Sequence, residues 1–573
     1  MVASTHWLAS SAGMAVLERG GNAFDAAVAA GFTLQVVEPH LNGPGGDLPA
    51  IVWPAGRGEP LVLCAQGPAP RAATVGRYRD DLGLGLVPGT GPLAAVVPGA
   101  FGGWMALLRD FGTISLSDAL GFAIGYAHDG YPMLAGTASA IARVEALFRD
   151  EWTTSAQVYL PVVGTGERCR NRALASTYRR VLDEAEAASG DREGQIEAAT
   201  DAWYRGWVAE AVGRFQAREW LDSSGERHSG LLSGDDLASW RPTYEAPVSA
   251  GYRGLTVFKA GPWSQGPVFL QQLQLLEGFD LAGIGPGSAR YIHTVTECAK
   301  LAFADREAWY GDPAHVEVPL GTLLSSAYAA ERRRLVGEEA SAGLRPGSPD
   351  GRVPRLPIAA GDAGPRPAPG AGEPARAERR GDTVHLDVAD RFGNLVSATP
   401  SGGWLTGAPV IPELGFCLGT RAQMFWLEEG LANSLGPGKR PRTTLSPTMV
   451  ARGGEPYLAM GTPGGDQQDQ WALHAFLAHV DAGMGLQAAI DAPNHHTEAF
   501  PSSFWPRAMR LRHLAVEERA GAATAEALRG FGHDVETVGP WSLGRVCAVS
   551  RGRDGFVRGA ADPRRSQAYV CGR

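Results

Sequence analysis

Apolar and polar positions along this chain alternate between stretches with a helical period and short runs with a period of two. In "HWLASSAGMAVLERGGNAFDAAVAAGFTLQVVEP" the small and apolar residues recur at helical spacing on both sides of Gly20-Gly21-Asn22, which predicts two helices separated by a C-cap and a turn. Residues 140–218 carry Ala, Arg and Glu at helical spacing. "SAGYRGLTVFKAGP" reads as a strand, and "ARYIHTVTECAKLAFADREAWYGDP" as a helix ended by Gly311-Asp312-Pro313. Both periods then vanish. From about Ser341 to Arg380 the chain is rich in Pro, Gly and Ala with few large apolar residues. Such a stretch buries too little surface to offset its ordering entropy, so a mobile segment is expected, and the plainest reading of it is a linker.

A period of two returns abruptly at Asp382-Thr383. In "TVHLDVAD" Val384, Leu386 and Val388 share one face, and Thr383, His385 and Asp387 the other. A turn over Arg391-Phe392-Gly393-Asn394 leads into "LVSATPS", where Ser397, Thr399 and Ser401 again share a face. Two neighbouring strands with one solvated face would account for the pattern. They would not account for a threonine standing where the low-complexity stretch ends.

A hydroxyl is a weak nucleophile unless a base takes its proton. Cleavage between Asp382 and Thr383 would free an α-amine, with a pKa of about 7.7–8.0, on the residue that carries the hydroxyl. One residue would then supply nucleophile and base, the N-terminal-threonine form of the serine-triad logic. Acyl transfer also needs donors for an oxyanion. In "LAMGTPGGDQQDQW" Gly464-Gly465 follow an apolar strand and precede a helix, a place where backbone N–H groups can face a developing negative charge. Alone, Pro-Gly-Gly is a turn signal.

Composition narrows the class without choosing the reaction. Apolar content of 44% and charged content of 20% are those of an ordinary soluble globular protein. A net charge of −9 argues against nucleic-acid and anionic-membrane partners. Six scattered cysteines without a CxxC favour reduced thiols in a cytoplasm, and Cys64 and Cys417 read as small buried residues. The first residues lack a secretion-signal pattern, and no apolar run is long enough to span a bilayer. "NHHTE" (His495, His496, Glu498) lacks further metal ligands at a fitting spacing and reads as a loop histidine pair, and "GLGLVPGTG" (Gly83–Gly91) lacks a strand–turn–helix setting for a nucleotide. Neither a metal nor a cofactor is expected.

The chain resembles the γ-glutamyltransferases, self-cleaving members of the N-terminal-nucleophile hydrolases. The likeness rests on "GGNAFDAAVAAGFTLQVVEPHLNGPGGD", "FADREAWYGDP", "DTVHLDVADRFGNLVSAT", "KRPRTTLSPTMV" and "GTPGGDQ", in that order and nearly end to end. It implies an α/β fold of the four-layer αββα sandwich type, with a large-subunit region 1–340, a flexible segment 341–382 ending at the cleavage site, and a small-subunit region 383–573. Both regions would form one folded unit, cut from one precursor, acting on a small-molecule substrate; pairing of two processed heterodimers is left open. Thr383 matches the nucleophile, Thr399 and Ser401 the second-strand hydroxyls, Ser401 standing where a threonine usually orients the nucleophile. Gly464 and Gly465 match the oxyanion pair, and Thr443-Thr444 a Ser-Ser pair of the donor site.

Two departures bear on the substrate. An arginine that holds the α-carboxylate of a γ-glutamyl donor is replaced in "LCAQGPAPRAAT" by Gln66 or a neighbour. Two aspartates that hold its α-amine are replaced in "LGTRAQMFWLEEG" by Gln423 and Met424. Each loss should cost roughly 1.5–3 kcal/mol of glutamate binding. Arg421 and Arg442 are the expected carboxylate holders if one is recognised, or else structural ion-pair partners. Three functions are thereby separated: a threonine-nucleophile amidase or acyltransferase, a carbon–carbon bond hydrolase of an alkylproline-antibiotic pathway, and a non-catalytic binding protein.

Overall fold

The computed structural model describes residues 1–358, 383–564 and 568–573. Asp382 and the expected scissile bond therefore lie outside the described residues, as does the second part of the expected flexible segment.

The two helices expected at the start are α1 (Trp7–Glu18) and α2 (Ala23–Val37). Asn22 starts α2 with a capping box: its side chain accepts from the Phe24 and Asp25 N–H groups, while Asp25 accepts from the Asn22 N–H. Every residue of α2 is buried, as expected of a helix whose apolar character runs all the way round. The expected single strand near Lys259 is a hairpin, turning at Arg253-Gly254 between Val248–Tyr252 and Leu255–Lys259.

Thirteen strands matter for the site. They are β1 (Val2–Ser4), β2 (Leu48–Trp53), β3 (Leu61–Ala65), β4 (Thr243–Glu245), β5 (Val248–Tyr252), β6 (Leu255–Lys259), β7 (Leu386–Ala389), β8 (Leu395–Ala398), β9 (Thr448–Arg452), β10 (Glu455–Gly461), β11 (Cys547–Arg551), β12 (Val557–Ala561) and β13 (Tyr569–Cys571). One antiparallel sheet runs β13-β1-β7-β8-β2-β3-β4, and a second runs β12-β11-β10-β9-β6-β5. Between them lies an apolar layer built from Ile51, Trp53, Cys64, Phe258, Met449, Ala459 and Val549. The first sheet's outer face, with Val384, Leu386 and Val388, packs on α1 and α2. On the second sheet's outer face lie α3 (Gly266–Leu276), α4 (Ala289–Trp309) and α5 (Gln468–Val480). The result is the αββα sandwich. Both sheets combine strands from before residue 340 and after residue 383, so the two regions share one core.

The hairpin at Thr383 does not have the one solvated face of the plain alternative. Both faces are buried, and Thr383, His385 and Asp387 look into the space between the sheets. Residues 341–358 have little regular structure, yet they are tied down: the Gly347 N–H donates to Asp305 and Arg345 pairs with Glu297. All six cysteines are free thiols, with Cys64 and Cys417 buried. No helix among the described residues is long and apolar enough to cross a membrane.

A buried ion pair ties the two regions together. Arg545 lies 2.9 Å from Glu38, which also accepts from the Thr5 hydroxyl (2.7 Å). Removing one partner of such a pair strands a charge in a low-dielectric interior at a cost of about 3–5 kcal/mol. Arg545→Met should lower the unfolding free energy by about that much, read from the shift in urea midpoint.

Candidate active site

Cross-strand register assembles the hydroxyl groups. β7 and β8 pair Leu386 with Ala398 and Asp387 with Ser397, and the same register continues upward to a bridge between Thr383 and Ser401. Thr383 Oγ1 lies 3.1 Å from Ser401 Oγ, and both side chains are fully buried. One rung below, Thr399 Oγ1 lies 2.9 Å from His385 Nδ1, and His385 Nε2 lies 2.9 Å from Asp387 Oδ2. His385 and Asp387 were legible as neighbours of Thr383 on one strand face, but nothing in the sequence said that they would meet each other and Thr399. Burial pushes the Asp387 carboxyl above its ordinary value, and His385 offsets that only in part.

The top rung extends sideways into a wall. Ser401 and Asp47 exchange backbone hydrogen bonds of 2.8 and 3.1 Å, and Gln66 lies one residue beyond the paired Leu48 and Ala65. A Cβ on Gly46 would fall 2.0 Å from the Ser401 carbonyl oxygen, so only glycine lets these backbones approach. Asp47 holds Arg421 through two hydrogen bonds, 3.0 and 3.3 Å, and the guanidinium lies over the Trp404 ring at 5.1 Å. Burial pushes the Asp47 carboxyl up and Arg421 draws it back in part. Arg421 Nη1 and both amide atoms of Gln66 lack partners among the described residues, as does the Thr444 hydroxyl in the segment before β9. Native proteins rarely leave such groups unsatisfied, and substrate atoms or water are what they are free to meet.

Gly464 and Gly465 form the corner after β10. Gly461, at the end of that strand, packs so closely on His385 that a Cβ there would lie 2.4 Å from the ring. Gly464 and Gly465 adopt φ of +139° and +54°, and a Cβ on Gly464 would meet the Trp471 ring at 2.4 Å. Their N–H groups have no acceptor among the described residues. The corner is fixed from below by Asp466, which accepts from Ser503 N–H (2.8 Å) and hydroxyl (2.6 Å) and pairs with Arg306. Burial works against an ionised Asp466, yet Arg306 and Ser503 hold its carboxyl below the ordinary range. Arg306 comes from "FADREAWYGDP", whose place in the site was not legible from the residues alone.

Other sequence candidates serve the scaffold. Arg442 pairs with Glu307 (2.7 Å) and donates to the Arg306 carbonyl (2.9 Å), the ion-pair role considered for it. Gln423 donates to the Gly89 carbonyl and the Thr420 hydroxyl and accepts from the Trp505 N–H. Met424 packs with Trp404 and Phe504, and the Thr443 N–H donates to the Trp263 carbonyl. His495 and His496 lie on a short strand rather than a loop, His495 stacked on His474 at 3.8 Å. His293, Glu297 and His533 also cluster closely enough to hold a metal ion. Most of their groups are already engaged, His293 with His533 and the Gly337 carbonyl and Glu297 with Lys300 and Arg345, while His533 Nδ1 has no partner among the described residues.

This sandwich is that of the N-terminal-nucleophile hydrolases. Within that class the chain matches the family model "Gamma-glutamyltranspeptidase" over residues 9–571, and it belongs to that family. It is 32% identical over 581 residues to the glutathione hydrolase-like YwrD proenzyme of Bacillus subtilis, covering 100% of this chain and 98% of that one. It is 34% identical over 575 residues to the acylase ACY 1 proenzyme of Pseudomonas sp. strain SE83, covering 98% and 91%. The solved structure of LmbA2991T421A shares 55% identity and superposes with a TM-score of 0.94, covering 100% of this chain and 98% of that one. The protein is thus an enzyme of the γ-glutamyltranspeptidase type, a hydrolase or acyltransferase.

The corner geometry sets a test. Gly465→Ala forces an alanine to φ +54° with its Cβ 3.0 Å from the Phe504 ring, so the turn must shift and its donors with it. Losing one oxyanion donor costs about 10²–10³ in kcat. Gly465→Ala should show that loss in steady-state kinetics with KM within a few fold, and an unchanged kcat would remove the corner from the mechanism.

Proposed function

We propose that the chain is a self-cleaving proenzyme whose Thr383, freed at its α-amine by cleavage after Asp382, transfers the acyl group of a small donor other than γ-glutamyl. The observation that carries this is the top rung: the buried Thr383 Oγ1 lies 3.1 Å from Ser401 Oγ. The α-amine takes the proton as Oγ1 attacks the donor carbonyl. The Gly464 and Gly465 N–H groups receive the oxyanion. The amine then protonates the leaving group, and water or an acceptor amine attacks the resulting ester. Cleavage leaves a large and a small subunit in one core, and relatives described as proenzymes support it.

The wall beside Thr383 argues against a glutamate-like donor. Such a donor presents a carboxylate and an ammonium on one carbon, and both need charged partners when desolvated. Here Arg421 is already neutralised by Asp47, Gln66 is uncharged, Gln423 is engaged with protein groups, and Met424 sits in an apolar cluster. Arg421 Nη1 and Gln66 instead suit a small donor rich in hydrogen-bonding atoms. An acylase among the relatives shows that the family extends to donors of more than one kind.

Two outcomes are expected. N-terminal sequencing of the smaller fragment should read Thr-Val-His-Leu-Asp, and Thr383→Ala should remain one folded, inactive chain; a different start sinks the assignment. In a panel of glutathione, γ-glutamyl p-nitroanilide, non-glutamyl acyl p-nitroanilides and 2-oxo acids, the γ-glutamyl donors should fall at least about tenfold in kcat/KM below the best substrate, as loss of one charged contact implies. Arg421→Ala should weaken that best substrate mainly through KM. Release of a carbon fragment rather than an amine would assign carbon–carbon cleavage to the same nucleophile, whereas efficient glutathione hydrolysis would overturn the argument from the wall.

A further inference from the structure

Thr383 and the Gly464-Gly465 corner stand on different sheets, so what fills the gap between the sheets beside them sets their separation. Further along, that gap holds the apolar layer around Trp53 and Met449. Next to the site the filler is His385, two residues after Thr383 on the same inward face. Across the gap it meets Gly461, the last residue of β10. A Cβ on Gly461 would lie 2.4 Å from His385 Cε1 and 2.8 Å from each ring nitrogen, so the edge of the imidazole rests on bare backbone. Gly461 is not among the glycines held at positive φ, so lack of space, not backbone conformation, excludes a side chain there.

The ring has little freedom to yield. Its Nδ1 lies 2.9 Å from Thr399 Oγ1 and its Nε2 2.9 Å from Asp387 Oδ2, and all three residues are fully buried. Held at both nitrogens, the imidazole turns Cε1 toward β10. Beside it Ser397, which also meets Asp387, reaches the Met460 carbonyl at 3.2 Å, a second polar contact between the sheets. From Gly461 the chain arrives at Gly464 through Thr462 and Pro463. The Thr462 hydroxyl accepts from the Arg545 N–H at 3.1 Å, and the proline ring fixes a further dihedral, so the link is short and stiff. A displacement at Gly461 is therefore passed on to the corner.

We propose that His385 is a positioning residue, a spacer whose ring edge sets the distance between Thr383 and the Gly464-Gly465 corner. This rests on the reading of Thr383 as nucleophile and of the two glycines as oxyanion donors. The spacer acts by size. A methyl added at Gly461 pushes the corner away, and a shorter side chain at His385 lets it settle inward. Made together, the two changes compensate.

The test is Gly461→Ala and His385→Asn in the full-length protein, alone and combined, with kcat measured per cleaved chain on the fastest acyl p-nitroanilide of the panel. Each single variant should lose on the order of 10²-fold in kcat, the effect of a misplacement of about 1 Å. KM should stay within about threefold, because Asp47, Arg421 and Gln66 are untouched. The double variant should return to within about fivefold of the wild-type kcat. Its Tm should nevertheless stay below wild type, because the ring's hydrogen bond to Asp387 is gone. Recovery of turnover without recovery of stability is what a merely structural histidine would not give, since there the two losses would add. Should Gly461→Ala not fold or not self-cleave, the double variant must regain both. Full kcat in Gly461→Ala, or a double variant no faster than Gly461→Ala, would overturn the proposal. Thr383→Ala and Gly465→Ala separate the claims. If either keeps full turnover, the underlying reading fails; if both are impaired while Gly461→Ala is not, only the spacer fails.

Discussion

A strand that slips by one residue turns every side chain on it to the other face, and the site depends on that constraint more than on any single contact. β7 and β8 are locked by an apolar outer face, Val384, Leu386 and Val388 against α1 and α2. Locking that face forces Thr383, His385 and Asp387 inward as surely as it buries the valines. The inward face then meets Ser401, Thr399 and Ser397 in matching register. Three polar pairs are stacked between two sheets, where unpaired groups are costly and paired ones are held in one arrangement. Hydrophobic packing on one side of a strand thus sets the chemistry on the other.

The same register carries the Thr383 rung sideways to Asp47 and toward Gln66, so a polar wall grows from backbone pairing rather than from loops alone. The wall's charge is internally balanced, because Asp47 and Arg421 neutralise each other and Trp404 covers the guanidinium. The opposite side of the site is built differently. Its Gly464-Gly465 corner adopts positive φ angles and is clamped from beneath by the buried Arg306–Asp466 pair. One side of the site is set by sheet register and the other by a buried ion pair, and the sandwich brings the two together because β7 and β10 face each other across its middle.

Much of this could be read from local pattern. The period-two run from Thr383, the helices around Gly20-Gly21-Asn22, and the Gly-Gly corner before a helix are each written in a few adjacent residues. The plain alternative of a solvated face is not what the structure has, since periodicity cannot tell a polar face in water from a polar face buried against a second sheet. Nor could spacing reveal partners far apart in the chain. Arg421 is 374 residues from Asp47, and Arg306 is 160 residues from Asp466. Arg421 and Arg442 looked alike in sequence; burial beside Glu307 made Arg442 a scaffold residue, while the unpartnered Nη1 keeps Arg421 available to a ligand.

The central claim is that a single residue, Thr383, holds both the acyl group and the base once it stands at a chain terminus. Acid quenching during turnover of an acyl p-nitroanilide, followed by proteolysis and mass spectrometry, tests this directly. The account predicts one peptide heavier by the mass of the acyl group, beginning at Thr383 and modified on that residue. An adduct on any other residue, or none under conditions where hydrolysis of the ester limits the rate, would contradict it.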